Sequence, residues 1–206
     1  MNLKELHTAE NFFFRQFPEG FESEEMNDIK RKHKFDKAVD FAHLILSKKE
    51  LKQIKNSMTN IMKFVSRSSM VSVFEKMRFR DFVKEMDDIT QFELVDAIYE
   101  LIHGNEEVGF NKLVNILRIY NLAKWPLVSV YLAYYRPKKD VFVKPTTVKR
   151  IIKYLELDTV VYNSKPTYEF YSGYRKVINT IKLEVDESLR TSNAAFSGFL
   201  MMTLPG

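Results

Sequence analysis

The sequence contains no cysteine. Disulfides, a cysteine nucleophile, thiolate zinc sites and iron–sulfur clusters are thereby excluded. Glycine and proline number only six each in 206 residues, too little turn punctuation for a fold of many short strands, and the balance favours helices. No window approaches the ~18–20 apolar residues of a membrane-spanning helix, and the opening Met1-Asn-Leu-Lys-Glu-Leu-His7 carries no apolar signal core. A cytoplasmic location is expected. No repeat, low-complexity tract or obvious linker interrupts the chain, so 1–206 reads as one helical domain with possible lobes at 1–120 and 121–206. Asp36, Asp40 and His43 share a helix face at i, i+4 and i+7, but no second group of ligands accompanies them. Neither a metal nor any other cofactor is expected.

What is present is helical periodicity and aromatic side chains. Apolar residues recur at 3.6-residue spacing over 3–17, 26–46, 48–65, 91–102 and 110–119, and less cleanly over 70–86. Phe12-Phe-Phe-Arg-Gln-Phe17 reads as a set of core anchors, because a cluster this apolar is costly to expose. Asp87 and Asp88 cap the helix near Gln91, and His103-Gly104-Asn105 ends it. The block Lys30-Arg-Lys-His-Lys34 follows Glu24, Glu25 and Asp28 and reads first as a solvated face laced with charge pairs, with phosphate contact as the alternative. The predicted fold is all-α, of eight or nine helices, with at most two short extended pieces near 141–143 and 159–162. The apolar C-terminal segment Ala194–Leu204 should dock on the body.

The chain is organised around residues 121–153. They hold the only Trp, three of the six Pro, and, between Lys124 and Lys153, eight basic residues against the single acid Asp140. That segment sums to +7, so the rest of the chain carries −2 of the total of +5. The basic character thus belongs to one stretch and points to a polyanion-facing surface. Trp125-Pro126 starts an apolar helix running to Tyr135, with Trp125 expected to bury against the following helix. Pro137–Asp140 reads as a turn, and Lys144-Pro145-Thr146-Thr147 opens that next helix with Pro at its first position. Its N-terminus offers unpaired N–H groups and about half a positive charge. Lys144, Thr146, Thr147, Lys149, Arg150 and Lys153, with Lys138 and Lys139 in the preceding turn, are the candidate nucleic-acid-binding residues. An ordinary capped helix with a solvated basic face is the competing reading.

The motifs Trp125-Pro-Leu-Val-Ser-Val-Tyr-Leu-Ala-Tyr-Tyr135 and Phe142-Val-Lys-Pro-Thr-Thr-Val-Lys-Arg-Ile151 with Tyr154-Leu-Glu-Leu157 resemble the core of the helix-hairpin-helix DNA glycosylase superfamily over about forty residues. The resemblance implies a DNA-glycosylase-like helical core and DNA binding. The Gly-x-Gly of that family's hairpin is absent at Asn121–Lys124, and Lys144-Pro145 stands where the family has its catalytic Asp. Lys144 is then the one candidate for a catalytic group. Phe17-Pro-Glu-Gly-Phe21, the Trp-Pro helix, Phe142-Val-Lys-Pro145, the segment from Tyr162 through Pro166 to Phe170 or Tyr171, and Phe199 also resemble an uncharacterised bacterial family. That likeness implies specified positions at Lys144 and Pro145 and no particular chemistry.

Two functions follow as expectations. One is a DNA- or RNA-binding protein, with Lys144–Thr147 on phosphate and Trp125, Tyr131, Tyr134 or Tyr135 offering a stacking surface. The other is an interaction or accessory module whose basic face meets an acidic protein.

Overall fold

The computed structural model describes residues 1–205. Twelve α-helical segments follow one another: α1 Leu3–Gln16, α2 Asn27–His33, α3 Phe35–Ile45, the single turn α4 Lys48–Leu51, α5 Ile54–Arg67, α6 Val73–Glu85, α7 Asp88–His103, α8 Glu106–Ile119, α9 Trp125–Tyr135, α10 Pro145–Tyr154, α11 Tyr168–Ile181 and α12 Asn193–Thr203. Short 3₁₀ turns lie at Gly20–Glu22, Glu24–Met26, Lys182–Glu184 and Glu187–Arg190. The fold is all-α, and no strand occurs among the described residues. Residues 141–143 are an extended connector whose Val143 N–H donates to Ser129 Oγ at 3.0 Å, so its polar backbone is satisfied by a side chain and not by a second strand.

There are more helices than the periodicity predicted, because the segments 26–46 and 48–65 are each broken in two. Lys34 adopts φ 44°, ψ 45° and separates α2 from α3. Apolar spacing is kept across such a joint, so the pattern alone does not register it. Local signals account for most other ends. Ser72 and Glu75 form a capping box at α6, Asp87 accepts from Thr90 N–H at 2.7 Å, and Asn105, Thr167 and Ser192 cap α8, α11 and α12. Between α8 and α9 the turn is made by Asn121 at φ 56°. Asn tolerates this left-handed region better than other residues with a Cβ, so a turn without glycine is feasible.

One connected core runs from Leu6 to Leu204. At its centre lies α9, with ten of its eleven residues buried, which is why it shows no amphipathic stripe. It packs on α3, α7 and α8. Trp125 is 1% exposed, as expected, and its ring lies against Phe110 of α8 and Phe170 of α11. Its indole N–H donates to the Asn163 carbonyl at 2.7 Å. At the chain's ends, Phe13 of α1 sits against Phe199 of α12 at 5.4 Å, so the C-terminal segment does dock. Phe13 is buried, Phe14 and Phe17 are half-buried, and Phe12 faces solvent.

Helices α7 and α8 approach backbone to backbone at Gly109. A Cβ on Gly109 would stand 2.0 Å from the Leu101 backbone N and 2.5 Å from its Cα. Backbone on one helix and backbone on the other cannot yield as a flexible side chain would. Gly109→Ala should therefore destabilise by at least the ~1–3 kcal/mol typical of overpacking. At Gly198, inside α12, a Cβ meets nothing within 4 Å, and Gly198→Ala should gain roughly 0.5–1 kcal/mol. Urea unfolding midpoints of the two variants, expected on opposite sides of the native value, check both.

Candidate nucleic-acid interface

Asp140 is the only acid between Lys124 and Lys153, and it is 1% exposed. A carboxylate this deep requires compensating charge and hydrogen bonds. Arg136, one turn back, donates from Nε to Asp140 Oδ2 at 2.5 Å and from its terminal nitrogen to Glu106 Oε2 at 2.5 Å. Arg175 of α11 closes the ring, donating to Asp140 Oδ1 and Glu106 Oε1 at 2.6 Å each. Tyr168 donates to Glu106 at 3.1 Å and Tyr171 to Asp140 at 3.2 Å. Burial by itself would raise the pKa of Glu106, but Arg175 and Arg136 outweigh it and hold the carboxyl below its usual range. Burial beside Asp140 pushes the Tyr171 phenol well up. The ring joins the start of α8, the end of α9, the connector and α11.

A second set of contacts fixes the turn after α9 by its carbonyls. Lys182, 6% exposed, donates to Lys138 O at 2.8 Å and to Asn193 Oδ1 at 2.5 Å. Asn179 donates to Lys139 O at 2.7 Å, and the Asn193 N–H to Pro137 O at 2.8 Å. Burial, then the Lys138 ammonium, lowers the pKa of Lys182. With their carbonyls held from below, Lys138 and Lys139 project into solvent.

On α10 the candidate residues divide. Lys144 is the N-cap, extended at φ −99°, ψ 114°, with no side-chain cap and Pro145 following. Lys144 and Thr146 are exposed, while Thr147 is 8% exposed and faces the core. Arg150 donates to the Met201 carbonyl at 3.0 Å, near the end of α12. Lys149 lies 5.0 Å above the Tyr162 ring and Lys153 4.9 Å above the Tyr154 ring, an arrangement that positions a cation without neutralising it. Once Arg136 and Asp140 are withdrawn into the ring, seven cations of 124–153 remain outside it with no acid among them: Lys124, Lys138, Lys139, Lys144, Lys149, Arg150 and Lys153.

Nothing local to the block 30–34 links it to α10. Lys30 pairs with Glu22 at 2.7 Å and Arg31 with Asp28, as a charge-laced surface requires. Lys32, His33 and Lys34 are in no ion pair among the described residues. His33 is held by Ser69, Nδ1 to Oγ 2.8 Å, and its pKa is lowered by burial first and then by the ammonium groups of Lys32 and Lys144. Two basic segments more than a hundred residues apart therefore converge at the start of α10. Only the fold around α3 and α9, where Phe35 meets Tyr134 at 5.4 Å, brings them together.

Three of the four rings expected to stack lie in the interior. Trp125, Tyr131 and Tyr134 are fully buried, and Tyr135 lies edge-on between His43 and His103. Of the four rings only Tyr135 keeps partial exposure. His43 donates to the Tyr135 carbonyl at 2.7 Å, which explains its place on the α3 face it shares with Asp36 and Asp40. Two shallow hollows, of about 400 and 360 Å³, are lined by Lys138, Glu187, Ser188, Arg190 and Thr191 and by parts of α5, α6 and α7 respectively. Lys144 lines neither. No family model, curated protein or solved structure matches the chain.

Removing one member of a buried ion network strands its partners, whereas an exposed pair contributes little. Arg175→Met should cost ~3–5 kcal/mol, and Arg31→Met, at an exposed pair, ~0–1 kcal/mol. The pH dependence follows from Glu106, whose folded pKa is depressed. Its contribution is present above the unfolded carboxylate value of ~4.3 and is lost as pH falls through the folded value. Urea midpoints measured from neutral pH downwards should fall through this acid range, and the part due to Glu106 should vanish in Glu106→Gln.

Proposed function

We propose that this protein binds the phosphate backbone of nucleic acid, through a surface formed by the start of α10 together with the end of α2. The carrying observation is the convergence of Lys144 with Lys32 and His33, which turns two unremarkable basic segments into one field. The α10 N-terminus adds ~0.3–1 kcal/mol for an anion, and Lys149 and Lys153 continue the positive face along the helix. Thr146 adds an exposed hydroxyl; Thr147 has turned inward. With the aromatics of α9 buried, the reading is of backbone contact, which positions without specifying sequence. Lys144 stands exposed outside the hollows, so its role here is phosphate contact, and a glycosylase-like covalent step forms no part of the proposal.

Several phosphate contacts require a steep fall of affinity with salt. Titrating a labelled DNA duplex and an RNA strand between about 50 and 200 mM salt should give that slope. Lys144→Ala and Lys32→Ala should each lower it by ~1 and weaken binding evenly across sequences. Absence of binding at low salt would remove the reading and favour an acidic protein partner for the same face. An effect of Lys144→Ala without one of Lys32→Ala would show that the two segments do not act as one site.

A further inference from the structure

We infer that Ser69 is a positioning residue of this surface: it moors α2, a helix that buries no side chain of its own, and so sets the cation at the end of that helix for phosphate. The inference rests on the phosphate-binding reading above and names what places one half of that site. A helix of seven residues is marginal in water and ordinarily holds by packing an apolar face on its neighbours. In α2 no residue is buried, Asn27 to Lys32 are exposed and only His33 is half-covered. The chain is fixed on either side, by Met26 at 3% exposed and by Phe35 against Tyr134. Between α2 and Phe35, however, Lys34 turns left-handed at φ 44°, ψ 45°, which a residue with a Cβ adopts at a cost. The anchors therefore hold the ends of this segment without favouring the course of α2.

Two side-chain contacts lead out of α2. Lys30 meets Glu22 at 2.7 Å, an exposed pair that solvent and salt weaken. The other is Ser69, whose Oγ lies 2.8 Å from His33 Nδ1 and 3.5 Å from the His33 carbonyl oxygen. The shorter contact is a hydrogen bond whichever of its two atoms supplies the proton. Ser69 is itself well placed to hold, because its neighbour Ser68 is 2% exposed. The Ser68 Oγ accepts from the N–H groups of Met70 and Val71 at 3.1 and 3.3 Å and lies 3.3 Å from the Tyr134 hydroxyl. A polar path thus runs from the core helix α9 through the 68–71 turn to the last residue of α2. Lys32 is the next residue back, so fixing His33 fixes the root of its side chain. Without that tie α2 must be ordered as phosphate binds, and the ordering is subtracted from the affinity.

The test titrates a labelled DNA duplex at constant low salt with the native protein, Ser69→Ala and Ser69→Thr, and repeats the alanine comparison in Lys32→Ala. Ser69→Ala should weaken binding roughly two- to tenfold, the range set by one hydrogen bond. Ser69→Thr keeps the hydroxyl and should bind as the native protein does. In Lys32→Ala the same Ser69→Ala change should matter less, because the cation being positioned is gone. In the free protein, hydrogen exchange at the Arg31 to Lys34 amides should quicken in Ser69→Ala while the urea midpoint stays at the native value, which separates a loosened helix from a weakened fold. Equal affinity of Ser69→Ala and the native protein, an undiminished loss in Lys32→Ala, or unchanged exchange in α2 would overturn the role of Ser69 and leave the backbone-binding reading standing. No binding of the duplex by the native protein would overturn both.

Discussion

Asp140, enclosed between two guanidinium groups, is the constraint on which the basic half of this molecule depends. It lies in the turn that leaves α9, and its carboxylate is bonded by Arg136, Arg175 and Tyr171. Through Glu106 the same arginines reach the first residue of α8. Compared with apolar side chains of equal volume, such a ring contributes little net stability, because desolvation offsets most of the attraction. Its consequence is geometric. Four segments must meet at the right places for two carboxylates and two guanidinium groups to satisfy one another, and any slip strands a charge.

From that fixed point the path of the connector is set by further polar contacts. Lys182, Asn179 and Asn193 hold the carbonyls of residues 137–139, and Ser129 holds the N–H of Val143. Pro145 then starts α10 with its N-terminus at the surface. The buried acid and the exposed bases are two sides of one arrangement. Withdrawing Asp140 from the surface leaves the neighbouring lysines without a local counter-charge, and it is the unneutralised field that reaches His33.

The aromatic residues serve the interior. Phe64 and Phe35 enclose Tyr134, and Phe110 and Phe170 enclose Trp125, so α9 is a core strut and not a recognition surface. This separates the chain into an apolar centre that fixes positions and a charged exterior along α10 and the end of α2. Half-buried Tyr162 and Tyr154 stand under lysines, where the ring orients the ammonium group and keeps it charged.

The helices around which this protein is built were legible in its sequence, because periodicity, caps and Pro at a first turn act within a few residues of one another. The all-α class, the burial of Trp125, the cap at Asp87 and the exposed start of α10 all depend on such local terms. What reached beyond a helical turn was not legible. Asp140 looked like a turn residue, since Tyr171 and Arg175, which bond it from α11, lie 31 and 35 positions away. The fate of each cation in the block 30–34 depended on whether an acid or Lys144 came to lie beside it. Thr147, Tyr131 and Tyr134 were assigned to a surface because residue type alone does not say which side of a helix is covered. Charge and hydrogen bonding act through space, and in this chain the groups that decide them come from segments that only the folded core brings within a few ångströms.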